Sequence, residues 1–354
     1  MQMKTLSKPI IFSGHNSLND FKHYIASSNY SSLIILLDEN TQKYCFPVLK
    51  EIIGSHAIIS IKSGEEHKTI GTCIEIWKKL SDANIDRKAL LINLGGGVLC
   101  DIGGFIAASY QRGIDFIHIP TTLISMCDAA IGGKTGVNLD GLKNQIGVFK
   151  NPNAIVILPD FLKTLPENHI FSGLAEIIKH SLIGDKRFFN ELSECQDYKK
   201  NIEKFIAKSI KIKTRIVNLD AYEKGIRKSL NFGHSIGHAL ESFFLVNHSK
   251  NPISHGEAIA VGMIAESWIS YKRKLLPESE LDQITALILK HFSKIEIHKK
   301  DHEKIIEYIQ KDKKNEHKKK LFTLLDGIGQ FRVNEIINKE EIIQSLEYYA
   351  KLES

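Results

Sequence analysis

The sequence predicts an α/β fold for the first half of the chain and a mainly α-helical second half, with the change near residue 165. Three observations carry this. Short apolar runs bounded by Gly, Asp and Pro recur between residues 32 and 160, as buried strands require. Amphipathic patterns lie between several of them, so strands and helices alternate around a mostly parallel sheet. After Leu165-Pro166, long stretches at helical spacing take over. A chain of 354 residues also fits two domains on length, and 43% apolar residues can fill a core in each.

The expected strands are Leu33 to Leu37, Ala57 to Ile61, Ala89 to Leu94, Phe116 to Ile119 and Ala154 to Leu158, each read as buried. Helices are expected over Thr69 to Asp82 and Leu99 to Ala108. In the second half they are expected over Ser172 to Leu182, Lys200 to Val217, Ser229 to Phe244, His255 to Tyr271 and Lys339 to Leu352. The Gly256 to Ile269 segment is apolar nearly all round, which marks a helix inside its domain. There is no internal repeat and no low-complexity linker, so the boundary is a change of composition and not a tether.

Composition removes several function classes. Five scattered cysteines, with no C-x-x-C pair, suggest neither a disulfide framework nor a cysteine metal site, and fit a reducing cytoplasm. The amino terminus has no apolar signal core, and no uncharged apolar run is long enough to span a bilayer, so secretion and membrane insertion are not expected. The net charge of +6 sits largely in the Lys-dense stretch from His298 to Lys320, without interleaved aromatics, so nucleic acid is not an expected partner. A small anionic substrate is compatible with that balance.

Three constellations can carry chemistry. Gly95-Gly96-Gly97 follows a strand-like run and precedes a helical one, so backbone amides there can approach a pyrophosphate at a helix N-terminus; the same glycines could simply make a tight turn. Asp38-Glu39-Asn40 ends another strand, where a carboxylate can meet a ribose or cap a helix. Second, His234 and His238 share one helical face at i and i+4, with His255, Glu257, Glu176 and His180 as further candidates. Two imidazoles and a carboxylate leave coordination positions open for catalysis, but spacing does not choose among these groups. The pattern is not H-E-x-x-H. Third, Arg112, Lys134, Lys143, Asn144, Lys179, Lys213 and Arg227 lie in or beside patterned segments, and Gly132 to Gly136 reads as an anion-binding turn around Lys134.

Taken together, GGGVLCDIGGFIAASYQRGIDFIHIPTTLI, DAAIGGKTGVN, LKNQIGVF, SGLAEIIKH, GIRKSLNFGHSIGHALES and HGEAIAVGM resemble the 3-dehydroquinate synthase family of sugar-phosphate cyclases. The likeness runs from Asp38 to the Asp312-Lys313-Lys314 region. It implies an N-terminal Rossmann-like nucleotide-binding domain over residues 1–165 and a helical metal- and substrate-binding domain over 166–354. It implies metal ligands Glu176, His234 and His255, with zinc or cobalt as the ion, and moves His238 to proton transfer and phosphate binding. NAD would contact Asp38, Asn40, Glu65, Lys68, Gly96, Gly97, Val98, Asp101, Thr121, Thr122, Lys143, Phe161 and Thr164. Substrate would meet Asp128, Lys134, Asn144, Lys179, Lys213, Glu223, Arg227 and Asn231, with Arg112 reaching in from a partner subunit of a homodimer and Lys313 or Lys314 closing on the phosphate. Two positions depart from the pattern: Ala221 replaces an acidic residue in Asp220-Ala221-Tyr222-Glu223, and Ser172 stands where some members carry Asn.

The implied activity is a lyase reaction of aromatic amino acid biosynthesis, the shikimate pathway. It takes 3-deoxy-D-arabino-heptulosonate 7-phosphate, a phosphorylated sugar acid, to 3-dehydroquinate and phosphate, with NAD used and regenerated in each turnover. The alternatives are a sister cyclase of the 2-deoxy-scyllo-inosose or epi-valiolone synthase type, whose substrates lack the carboxylate, and a metal-dependent polyol dehydrogenase, which would release NADH.

Overall fold

The computed structural model describes residues 7–54, 56–140, 142–247, 252–311 and 321–353, and its contacts divide the chain into two units, Met1–Ile170 and Phe171–Ser354. The break falls inside a helix, Glu167–Gly184, a little past the Leu165-Pro166 change of composition. The change of composition marks where the helix begins; the change of packing comes a turn later.

The first unit runs β1 (Ile10–Phe12), α1 (Ser17–Ser27), β2 (Leu33–Asp38), α2 (Glu39–Tyr44), α3 (Phe46–Ile53), β3 (Ala57–Ile61), α4 (Ile70–Asp82), β4 (Leu90–Gly95), α5 (Gly97–Ser109), β5 (Asp115–Pro120), β6 (Lys134–Leu139), β7 (Leu142–Phe149) and β8 (Ala154–Val156). Six of these strands form a parallel sheet in the order β1-β8-β5-β4-β2-β3. Every residue of β4 is buried, because a central parallel strand has both faces covered and reads as a continuous apolar run. The sheet packs on α4 and α5 through Cys73, Ile76, Leu80, Ile102 and Ile106.

Ala57–Ile61 forms a strand, but of its residues only Ile59 is buried. Among the described residues it pairs with β2 alone, at the edge of the sheet. The Gly132–Gly136 segment, expected as an anion-binding turn around Lys134, runs into a strand. Gly132 and Gly133, at φ +106° and +66°, turn the chain into β6, which pairs antiparallel with β7.

The second unit contains α6 (Glu167–Gly184), α7 (Lys186–Glu194), α8 (Ile202–Leu219), α9 (His234–Asn247), α10 (His255–Lys272), α11 (Glu278–His291), α12 (His302–Lys311), a hairpin of β9 (Leu321–Leu325) and β10 (Phe331–Ile336), and α13 (Lys339–Lys351). The expected single helix over Ser229 to Phe244 is two pieces: a 3₁₀ turn, Ile226–Asn231, and then α9. Gly233 separates them at φ +77°, a backbone state that favours glycine. The apolar helix α10 is the buried centre of the unit, and even Glu266 and Ser267 on it are fully covered. It meets α9 backbone to backbone: a Cβ on Gly262 would lie 1.9 Å from the carbonyl oxygen of Gly233. Among the described residues no helix is long and apolar enough to cross a membrane.

Candidate active site

In the first unit, β2 is followed by a crossover to β3 on one side, and β3 by a crossover to β4 on the other side of β2. The carboxyl ends of β2 and β4 therefore form a topological switch point, where open α/β sheets bind ligands. Asp38 closes β2 and Gly95 closes β4. Gly96 is the N-cap of α5 and Gly97 its first residue, with Val98 next. The N-cap of α5 makes no side-chain cap hydrogen bond among the described residues, and its first amides lie at the positive end of a 13-residue helix. Thr121 donates its amide to the Gly95 carbonyl at 3.0 Å, and a Cβ on Gly96 would meet Thr122 at 3.1 Å, so this crevice closes tightly around glycine.

The other expected nucleotide residues are placed with varying engagement. Asp38 Oδ1 accepts the Thr41 amide at 2.8 Å, so one carboxylate oxygen caps α2. Asn40 and Lys143 are exposed, and Phe161 is buried in the 3₁₀ turn Pro159–Thr164 that also carries Thr164. Glu65 accepts from Asn138 at 2.8 Å. Lys68, buried, donates to Asp101 Oδ2 and Asn144 Oδ1, both at 2.6 Å. Asn144, expected on the substrate side, is thereby tied to Lys68, expected on the NAD side. Asp128 lies on a π-helical turn, Ser125–Ala129, while Lys134 and Arg112 are exposed, the latter at φ +68°.

In the second unit, α6, α9 and α10 bring three polar side chains to one point. Glu176 Oε1 lies 3.4 Å from His234 Nε2 and 3.4 Å from His255 Nε2. The ligand atoms of these three groups all fall within 4.8 Å of one another. His234 and His255 are each the first residue of their helix. Their other ring nitrogens are occupied: His234 Nδ1 faces the Phe232 carbonyl at 3.1 Å, and His255 Nδ1 faces Glu241 Oε2 at 3.2 Å. A donated Nδ1–H leaves an Nε2 lone pair for an ion, so the donor set fits a divalent cation with open positions.

Electrostatics agree with that fit. Burial alone would push the Glu176 carboxyl up, but Lys179 and His234 beside it hold it well below the usual carboxylate range. Burial favours a neutral His255, yet its contacts with Glu176 and Glu241 outweigh that and lift it to about 9. A proton on the ring takes the place that a cation would claim. Lys179, almost fully buried one helical turn from Glu176, donates to Glu176 Oε2.

The remaining candidates sort by their partners. His180 Nδ1 meets Ser209 Oγ at 2.5 Å, and Glu257 turns back to the Ser254 amide at 2.7 Å as half of the α10 capping box. His238 stays beside the cluster, its ring 5.1 Å from that of His234. Lys213 and Arg227 are buried. Arg227 donates to the Ala221 carbonyl at 2.6 Å, and its amide reaches Asp220 Oδ2 at 3.1 Å. Asn231 donates to Glu223 at 3.1 Å. Lys313 lies outside the described residues.

Sequence reasoning missed two carboxylates. Glu241 sits at i+7 from His234 and i+3 from His238, a helical spacing that could have singled it out. Glu266 is a carboxylate in an apolar helix and accepts the amides of Gly233 at 2.7 Å and Ile236 at 3.3 Å. A carboxylate buried in an apolar helix needs a partner, a rule that would single out Glu266 as readily as Glu176.

A parallel-sheet unit with a glycine-lined switch point and a helical unit with an open Glu/His/His set together have the architecture of the sugar-phosphate cyclases. A solved 2-deoxy-scyllo-inosose synthase, described as complexed with carbaglucose-6-phosphate, NAD+ and Co2+, superposes with a TM-score of 0.83 at 27% identity over 96% of each chain. A 2-epi-5-epi-valiolone synthase from Streptomyces hygroscopicus, described with NAD+ and Zn2+ bound, has the same fold, with a TM-score of 0.85 at 24% identity over 99% of each chain. The chain belongs to the 3-dehydroquinate synthase family: residues 58–172 match the profile of its N-terminal part and residues 173–315 that of its C-terminal part. It is similar to the 3-dehydroquinate synthase of Parabacteroides distasonis, 39% identical over 94% of this chain and 95% of that one. The enzyme of the same name from a Sulfurovum species is 42% identical over 78% of both. Members of this family are lyases.

Proposed function

We propose that this chain is a 3-dehydroquinate synthase, converting 3-deoxy-D-arabino-heptulosonate 7-phosphate to 3-dehydroquinate and phosphate. The observation that carries the reading is the convergence of Glu176, His234 and His255 in a unit that also buries three cations, Lys179, Lys213 and Arg227. Lys179 is paired with Glu176 in this structure, and cationic side chains of this kind bind anions; this substrate brings both a carboxylate and a phosphate.

Glu176, His234 and His255 would hold the ion. Asp38, Asn40, Glu65, Lys68, Gly96, Gly97, Val98, Asp101, Thr121, Thr122, Lys143, Phe161 and Thr164 would hold NAD. When bound, NAD supplies a reversible hydride acceptor, and a zinc or cobalt ion supplies Lewis acidity toward a substrate hydroxyl. The chain's own work is to orient a flexible polyol and move protons. Lys134, Asn144, Arg227 and His238 would take the phosphate, with His238 exchanging a proton at that end. Lys179 and Lys213 would hold the carboxylate, while Asp128, Glu223 and Asn231 fix hydroxyls. In a homodimer the exposed Arg112 would serve the partner's site. The cysteines, four of them buried and none in a disulfide among the described residues, suit the cytoplasm.

The test is inorganic phosphate release from the heptulosonate phosphate by protein supplied with NAD and Co2+. The expected outcome is stoichiometric release, no net absorbance from reduced nicotinamide, and loss of activity on chelation. Release from glucose 6-phosphate or sedoheptulose 7-phosphate in its place would assign a sister cyclase. Accumulating NADH with a simple alcohol would assign a dehydrogenase.

A further inference from the structure

We propose that Glu241 is a positioning residue that orients His255 toward the metal. The inference rests on the metal reading of Glu176, His234 and His255. Glu241 lies on α9, two turns after His234, and so shares the face of the helix that carries the first imidazole. Its Oε2 is 3.2 Å from His255 Nδ1, while His255 Nε2 is 3.4 Å from Glu176 Oε1. The ring is thus held between two carboxylates, one per nitrogen. A carboxylate accepting the Nδ1–H fixes the tautomer with the lone pair on Nε2, orients the ring and raises its basicity as a ligand.

The two histidines are supported differently. His234 rests on the carbonyl of Phe232, a backbone acceptor two residues back on its own segment. His255 rests on a side chain of the neighbouring helix, so α9 both supplies one ligand and aims the other.

A different use of the same atoms would be a second cation site, since the ligand atoms of His238, Glu241 and His255 also lie within 4.8 Å of one another. The ring geometry argues against it. The nitrogen that faces Glu241 is the one that must keep its proton if Nε2 is to serve the Glu176 site.

The experiment is a Co2+ titration of the purified chain by competition with a chromophoric chelator at fixed pH. It is paired with the ligand-field spectrum of the bound ion, for wild type, Glu241→Gln and Glu241→Ala. The expected result is one ion per chain throughout, with affinity falling roughly 10–100-fold in Glu241→Ala. Glu241→Gln, whose amide oxygen can still accept from Nδ1, should fall less, with a shifted spectrum in both variants. Glu241→Gln is nearly isosteric and keeps the test valid if the alanine variant folds poorly. Variant affinities within twofold of wild type with an unchanged spectrum would overturn the inference. Two ions per wild-type chain falling to one in Glu241→Ala would also overturn it, by making Glu241 a ligand. A wild-type chain that binds no Co2+ would instead overturn the metal reading itself.

Discussion

Helices α9 and α10 do the same job in different ways. Each presents a histidine at its first position, and those two histidines converge on Glu176. Helix α10 is started by its own sequence: Ser254 caps the Glu257 amide, and Glu257 returns to the Ser254 amide. Helix α9 has no such box. Its N-cap is Gly233, and the amides of Gly233 and Ile236 are taken by Glu266, 30 or more residues further along and fully buried in α10. One helix start is local and self-sufficient, and the other is imposed by its neighbour. An active-site residue at a helix end can therefore be only as well placed as a carboxylate far away in sequence.

The largest expected effect comes from separating the two helices. Gly262→Ala places a Cβ where the Gly233 carbonyl stands, and backbone cannot yield as a side-chain tip can. Thermal unfolding should show a loss of roughly 3 kcal/mol or more, with no tight Co2+ binding left. A variant that melts like wild type would mean that α9 can shift freely and is not seated by α10.

Next comes Glu266→Ala, which orphans two buried amides at the head of α9. A loss of roughly 2–5 kcal/mol is expected in chemical denaturation, together with weakened metal binding, because His234 starts the helix that frays. Weakened stability with unchanged metal affinity would show that His234 is placed by something other than its cap.

Metal removal should cost less. An ion present at 100 times its dissociation constant stabilises the folded state by about 2.7 kcal/mol, so chelation should lower the melting temperature by the corresponding amount. That increment should shrink in Glu266→Ala and persist in Ser254→Ala, if the two helix starts differ as described. Equal increments in both variants would erase the distinction.

The smallest effect belongs to the local cap. Ser254→Ala should cost about 1 kcal/mol, read as a shift of roughly 2–4 °C in melting temperature, with Co2+ affinity nearly unchanged.

This contrast also explains how far the fold and site were legible in the sequence. The central strands were readable because buried parallel strands are continuous apolar runs, and α10 because it is apolar on every side. The switch-point glycines were readable from their place between a strand and a helix. The β6–β7 hairpin was not, since β7 is mostly exposed and its residues do not alternate. The start of α9 was misread for a related reason. Ser229 to Phe244 has helical spacing throughout, and the interruption at Gly233 depends on Glu266, which no local window contains. Spacing also offered His234 and His238 as equals. They differ in space because His234 stands at the helix head, against the Phe232 carbonyl and Glu176, whereas His238 lies one turn further in.

The close approach of Gly262 to the Gly233 carbonyl and the Gly237 amide leaves no layer of side chains between the two helices at this point. Their separation at this point is then set by the van der Waals radii of main-chain atoms and not by the volume of an intervening side chain. The span between His234 and His255 behaves like a gauge block: the surrounding helical unit can drift in sequence and repack while the width of the coordination site stays constant.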